Sequence, residues 1–106
     1  METEYVVVLT TIGGDIDGRE LASILVAERL AACVNVLPEM DSIYRWQGAV
    51  ETARERQLII KTTGARVVRL RTRLHELHQY DVPEFLVVPI VDGSERYLGW
   101  LRESTA

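Results

Sequence analysis

The side chains able to do chemistry in this chain are few enough to weigh one by one. Cys33 is the only cysteine, so no internal disulfide can form. A thiolate is a soft ligand suited to copper(I) or zinc. Cys33 also follows the small apolar run Leu30-Ala31-Ala32 at a helix-to-strand junction, where a buried, inert thiol is the competing reading. His75 and His78 lie three apart in a stretch patterned as a helix, so both can face one site. Their spacing is not that of the zincin helix, which sets its two histidines four apart. His75 flanks the apolar stripe and is expected to face solvent. His78 falls at the last helical turn, where it either joins a binding site or caps the helix end as an imidazolium.

Lys61 is the only lysine among 12 basic residues. A lysine kept at the apolar end of a strand, in a chain that otherwise uses arginine, points to a need for a compact ammonium rather than a planar fork. With Glu84 it can anchor an anion or form an ion pair at a subunit contact. Tyr44, Trp46 and Tyr80 combine apolar bodies with polar tips, which suits clefts and interfaces. Tyr44 and Trp46 are expected at an interface, and Tyr80, near Glu84, in the lining of a pocket between subunits. Lys61, Glu84 and His78 as acid–base groups would make an enzyme. The chain offers no Ser-His-Asp set, phosphate loop or dense metal cluster to go with them, so a non-enzymatic binding protein is the expected class.

These residues sit on a regular alternation of elements. Tyr5-Val6-Val7-Val8-Leu9 is a continuous apolar run, the mark of a strand covered on both faces, and Gly13-Gly14 breaks it. Asp17, three before Glu20, has capping-box spacing, and the helix after it presents Leu21, Ile24, Leu25 and Ala32, closing at Leu30-Ala31-Ala32. A long strand runs from Cys33 to Trp46. Unbroken alternation puts Val34, Val36, Pro38, Met40, Ser42, Tyr44 and Trp46 on one face. Gln47-Gly48 is the turn, and a second long strand returns from Ala49 to Thr63. Val67, Leu70, Leu74 and Leu77 give the next helix one buried face, with Arg66, Arg69, Arg71 and Arg73 on its solvated faces. Asp81-Val82-Pro83 is a turn, Phe85 to Val91 a further strand, and Tyr97, Leu98, Trp100 and Leu101 lie on a short terminal helix.

The order βαββαβ plus one helix predicts an α+β fold, the ferredoxin-like split βαββαβ sandwich with an extra C-terminal helix, over a single domain of residues 1–106. Its first and third strands are central and its second and fourth are edges. Pro38 and Pro89 fall in the two predicted edges, where a missing N–H is tolerated. The paired strands, at roughly 3.3 Å per residue, reach on the order of 45 Å, whereas a globule of this length is about 34 Å across. The β2–β3 hairpin therefore overhangs its domain. Two helices cover one sheet face only, and exposed edges invite pairing, so a closed ring of identical subunits is expected. The alternative is a monomer whose hairpin folds back at a bulge near Pro38.

Composition narrows the setting. Hydrophobic content of 47% and charged content of 26% are ordinary for a soluble globular chain. A net charge of −4 argues against nucleic-acid binding. An RNA-binding domain of the same topology would carry stacking rings where Arg54-Glu55-Arg56-Gln57-Leu58-Ile59 stands. The acidic start Met1-Glu2-Thr3-Glu4 is not a signal peptide. No apolar run approaches the ~20 residues of a membrane helix. A cytoplasmic, reducing location fits the lone cysteine.

Five strings carry a likeness to a known family: Leu30-Ala31-Ala32-Cys33-Val34-Asn35, Ser42-Ile43-Tyr44-Arg45-Trp46-Gln47-Gly48, Lys61-Thr62-Thr63, Tyr80-Asp81-Val82-Pro83-Glu84 and Tyr97-Leu98-Gly99-Trp100-Leu101. In this order they resemble the CutA divalent-cation tolerance family over nearly the whole chain. The resemblance implies a cytoplasmic homotrimer, similar in architecture to PII signalling proteins, associated with tolerance of copper and other divalent cations. Set beside the readings from side-chain chemistry, it leaves Trp46, Lys61, Tyr80 and Glu84 as the expected ligand contacts and a weakly held divalent metal ion, copper or zinc, with His78 and Cys33 as candidate ligands. The proline that usually follows the family's histidine is Gln79 here. The cysteine and second histidine of members proposed to bind copper correspond to Thr10 and Leu77. A PII-like regulator acting through a partner protein is the alternative function.

Overall fold

The computed structural model describes residues 4–78 and 82–106. Its elements are β1 (Tyr5–Gly13), α1 (Gly18–Ala27), β2 (Cys33–Trp46), β3 (Ala49–Thr63), α2 (Val67–Leu77), β4 (Leu86–Pro89) and α3 (Glu95–Ser104), with a 3-10 turn at Gly64–Arg66 leading into α2. The four strands form one antiparallel sheet in the order β2-β3-β1-β4. The two proline-bearing strands are the edges, and β1 and β3 are central, as the ferredoxin-like pattern requires.

The Asp17 side chain accepts from the backbone N–H groups of Arg19 and Glu20, both at 3.1 Å, and opens α1. The helix ends earlier than its apolar pattern suggests. Arg29 takes a left-handed φ of 61°, and the Leu30 N–H reaches back to the Leu25 carbonyl at 3.0 Å, the sort of bond that closes a helix. Leu30, Ala31 and Ala32 are therefore not helical. They are buried chain leading into β2, and the Ala32 N–H already bonds to the Lys61 carbonyl. β4 is also shorter than the apolar run Phe85 to Val91: Leu86 to Pro89 are in register with β1, and Ile90 adds a single N–H bond to the Tyr5 carbonyl at 3.0 Å.

The hairpin turn at Gln47-Gly48 has positive φ at both residues, 49° and 81°. That is the two-residue turn whose twist matches paired strands. Pairing runs the full length of the ribbon to Trp46↔Ala49, so the hairpin does not fold back, and the molecule measures 45 × 29 × 23 Å.

A bulge does exist at the predicted place, with a different effect. Val36 pairs with Leu58 and Glu39 with Arg56, so β2 spends one more residue than β3 between them. Pro38 has no N–H to give the ladder, and the Leu37 carbonyl left at the bulge accepts from Arg56 Nη1 at 3.3 Å. The extra residue reverses the alternation. Val34 and Val36 pack on the core, whereas Met40, Ser42, Tyr44 and Trp46, paired with Glu55, Ala53, Glu51 and Ala49, lie on the opposite face. The single continuous face read from the sequence is thus two half-faces.

The core forms where Val6, Val8 and Ile12 of β1 and Leu58 and Ile60 of β3 meet Leu21 and Leu25 of α1 and Leu70 and Leu74 of α2. Each such side chain, fully buried, contributes ~1.5–3 kcal/mol before entropy is counted. The second face of the sheet is covered only in part. Leu101 of α3, with Ile90 and Leu98, packs on Tyr5 and Ala32, and the Arg102 guanidinium donates to the Tyr5 hydroxyl at 2.6 and 3.1 Å. Beyond that patch, Leu86 and Val88 of β4 and Tyr44 and Trp46 of the ribbon remain exposed.

Candidate functional site

The segment Val82–Phe85 runs past the end of β1 and divides two cavities. Glu84 belongs to both. On the helix side its backbone carbonyl accepts from Thr10 Oγ1 at 2.7 Å. On the second face its carboxylate accepts from Gln57 Nε2 at 3.0 Å, and the same amide donates to the Thr10 carbonyl at 2.7 Å. Arg71 of α2 stacks over the Phe85 ring at 4.8 Å. Together these contacts tie the segment to β1, β3 and α2.

The larger cavity, about 680 Å³, lies between this segment and the distal ribbon. Met40, Tyr44 and Trp46 of β2 supply one wall, Glu55 and Gln57 of β3 the floor, and Pro83 and Glu84 the far side. The volume falls in the range of small-molecule sites. The smaller cavity is only about 10 Å³ and is bounded by Thr10, Leu74, His75, His78, Glu84 and Phe85. That is room for about one water.

His78 follows the last residue of α2, with its N–H on the Leu74 carbonyl at 3.0 Å, and is 5% exposed. Burial pushes its imidazole below the ordinary value of 6.5, and the neighbouring His75 pushes it further the same way. Burial thus favours the neutral form, against the reading of His78 as a capping imidazolium. His75 itself is solvent-exposed, as expected.

The predicted site residues thus divide into three groups. Trp46 and Glu84 share the large cavity. His78 and Glu84 share the small one. Lys61 and Cys33 are cross-strand partners on the second face, both half-buried. Lys61 stands four residues along β3 from Gln57, roughly 13 Å away. Among the described residues Lys61 is in no ion pair, and the proposed Lys61–Glu84 pair does not form within one chain. Tyr80 lies outside the described residues. Sequence reasoning missed Glu55, Gln57 and Met40, which only the strand register brings to the cavity.

The donor set does not fit a closed copper centre within one chain. Thr10 commits its hydroxyl to a backbone carbonyl, Leu77 has no donor atom, and the cavity beside His78 has little free volume. Among the described residues no three His, Cys, Asp or Glu side chains come together in a way that could hold a metal ion. Nor is any described helix long and apolar enough to cross a membrane.

A ferredoxin-like α+β sandwich with an overlong hairpin and one ligand-sized cleft beside it defines the class. Residues 6–104 match the family model described as CutA1 divalent ion tolerance protein, and the chain belongs to that family. It is 48% identical over 99 residues to the divalent-cation tolerance protein CutA of Thermus thermophilus, covering 93% of this chain and 96% of the relative. Identity to the chloroplastic protein CutA of Arabidopsis thaliana is 43% over 100 residues, 94% of this chain but only 55% of that protein. The chain therefore spans about half the length of the plant relative. The crystal structure of CutA1 from Oryza sativa superposes with a TM-score of 0.92 at 40% identity, covering 99% of this chain and 96% of that one.

Proposed function

We propose that this protein acts as a non-enzymatic homotrimer in divalent-cation tolerance, binding a small ligand or a weakly held divalent metal at clefts between subunits. The observation that carries the reading is the half-built second face. One chain leaves Leu86, Val88, Tyr44 and Trp46 exposed on it, and the cavity beside Trp46 and Glu84 opens onto the same face. Copies packed there would cover apolar surface, mask the edges β2 and β4, and could bring Lys61 of one subunit toward Glu84 of another. Relatives named for divalent-cation tolerance support the role. Copper or zinc would be held between chains rather than in a single-chain cage, so affinity is expected to be weak. The half-buried lone cysteine is compatible with a cytoplasmic location.

Sedimentation in dilute buffer and calorimetry with Cu(II) and Zn(II) test the reading. A trimer with micromolar or weaker metal binding that drops further in His78→Gln is the expected result. A well-folded monomer, or tight binding indifferent to that substitution, would overturn it.

A PII-like regulatory role has one observation in its favour. Ile43 and Val50 lie on the helix-side face of the distal ribbon and are 69% and 66% exposed, so a trimer closed through the second face leaves them free for a partner protein. Capture of a partner that depends on Ile43 and Val50 would favour this second reading.

A further inference from the structure

Charge is sorted across the distal ribbon. The pairs Glu39↔Arg56, Asp41↔Arg54 and Arg45↔Val50 share the helix-side face, so all three basic residues of the ribbon point that way. Arg54 is held there by Glu39 at 2.7 Å and Asp41 at 3.1 Å. The opposite face carries Glu51 across from Tyr44 and Glu55 across from Met40, and Glu84 joins them from its loop. Its nearest cation along β3 is Lys61, outside the cavity. Among the described residues neither Glu55 nor Glu84 is in an ion pair.

The cavity therefore sets two half-buried carboxylates against two aromatic rings and a thioether. One of the carboxylates is already oriented by Gln57, whose amide is itself anchored on the Thr10 carbonyl. Hard divalent ions want several convergent oxygens, which the described residues of this cavity do not gather. Aromatic faces beside separated carboxylates suit a bulky, poorly hydrated cation.

We propose that this cleft takes an organic cation, a guanidinium or substituted ammonium carried on a flat or apolar body. The proposal rests on reading the cleft as a ligand site and adds the chemistry of what enters it. The same chemistry has two sources: a free small molecule, or an arginine or lysine side chain from a second copy.

The test uses the full chain with Trp100→Phe, which leaves Trp46 as the only tryptophan of two. Phenylguanidine is titrated against Trp46 fluorescence, with phenylurea as the neutral isostere. Saturable quenching by phenylguanidine and not by phenylurea, weakened about five- to tenfold by Glu84→Gln or Glu55→Gln, supports a free ligand. No quenching by either probe, together with weaker subunit association in the Glu55→Gln, Glu84→Gln double variant, assigns the cation to a neighbouring copy. Equal binding of both probes, phenylguanidine binding indifferent to both carboxylates, or no probe binding with unchanged assembly in the double variant overturns the proposal. This last outcome in a protein that sediments as a trimer ends the inference alone, whereas a monomeric wild type ends the shared-cleft reading.

Discussion

Replacing Leu86 with lysine should take the assembly apart while leaving each chain folded. Leu86 lies on β4 opposite Leu9, on the sheet face away from α1 and α2, and is 54% exposed in one chain. Covering a whole leucine is worth ~1.5–3 kcal/mol, so covering the exposed half contributes about 1 kcal/mol per subunit. An ammonium trapped in its place costs several kcal/mol more unless it is paired. Three copies of that penalty come to on the order of 10 kcal/mol per trimer, or roughly seven decades in the association constant. Sedimentation velocity at low micromolar concentration reads this directly, and circular dichroism checks that the subunit still folds. Val68→Lys is the control, because Val68 sits on α2 and is 70% exposed on the helix layer. A Leu86→Lys protein with the wild-type mass would refute the claim that copies close over the second face.

Three other outcomes follow from the described contacts. His78 is buried and its folded-state pKa lies below the ordinary 6.5, so the unfolded chain binds the proton first as pH falls. Wild-type stability should therefore decline from about pH 6.5 downward relative to His78→Gln, as read by thermal melts across pH, and a flat difference would contradict the burial argument. Asp17→Ala removes the acceptor for two N–H groups at the start of α1 and should cost about 1 kcal/mol in denaturant titration. A Cβ at Gly18 would stand 2.8 Å from Val36 Cγ1 and 3.2 Å from Ile12 Cδ1. Gly18→Ala should thus overpack the core by ~1–3 kcal/mol, visible as a lower melting temperature with α1 retained.

Much of the fold could be read from local chemistry. Proline at positions 38 and 89 named the edge strands, Gln47-Gly48 gave the turn, and Asp17 with Glu20 gave the helix start, since each depends on its immediate neighbours. The phase of β2 could not be read by counting in twos, because one bulged residue reverses everything beyond it. Pro38 was the available signal. The site was legible in pieces. Trp46 and Glu84 were named for their side-chain chemistry and do share a cavity. Glu55, Gln57 and Met40 were missed for one reason: which residues lie level across a sheet depends on register, a long-range property. For His78 a binding role and a charged cap stood side by side because its place at the end of α2 is visible in sequence, whereas its burial is not.

The surplus residue at Leu37–Pro38 makes this ribbon tolerant of length change at one point and intolerant elsewhere. Deleting a residue there restores a two-by-two ladder, and Tyr44 and Trp46 keep their present outlook, with only bend and twist lost. The same deletion between Asp41 and Tyr44 rolls one part of the strand over, either withdrawing the rings from the cleft or displacing Val34 and Val36 from the core. Descendants of this chain that gain or shed a single position in β2 should do so at that joint, and a natural variant altered beyond it should have lost the cleft.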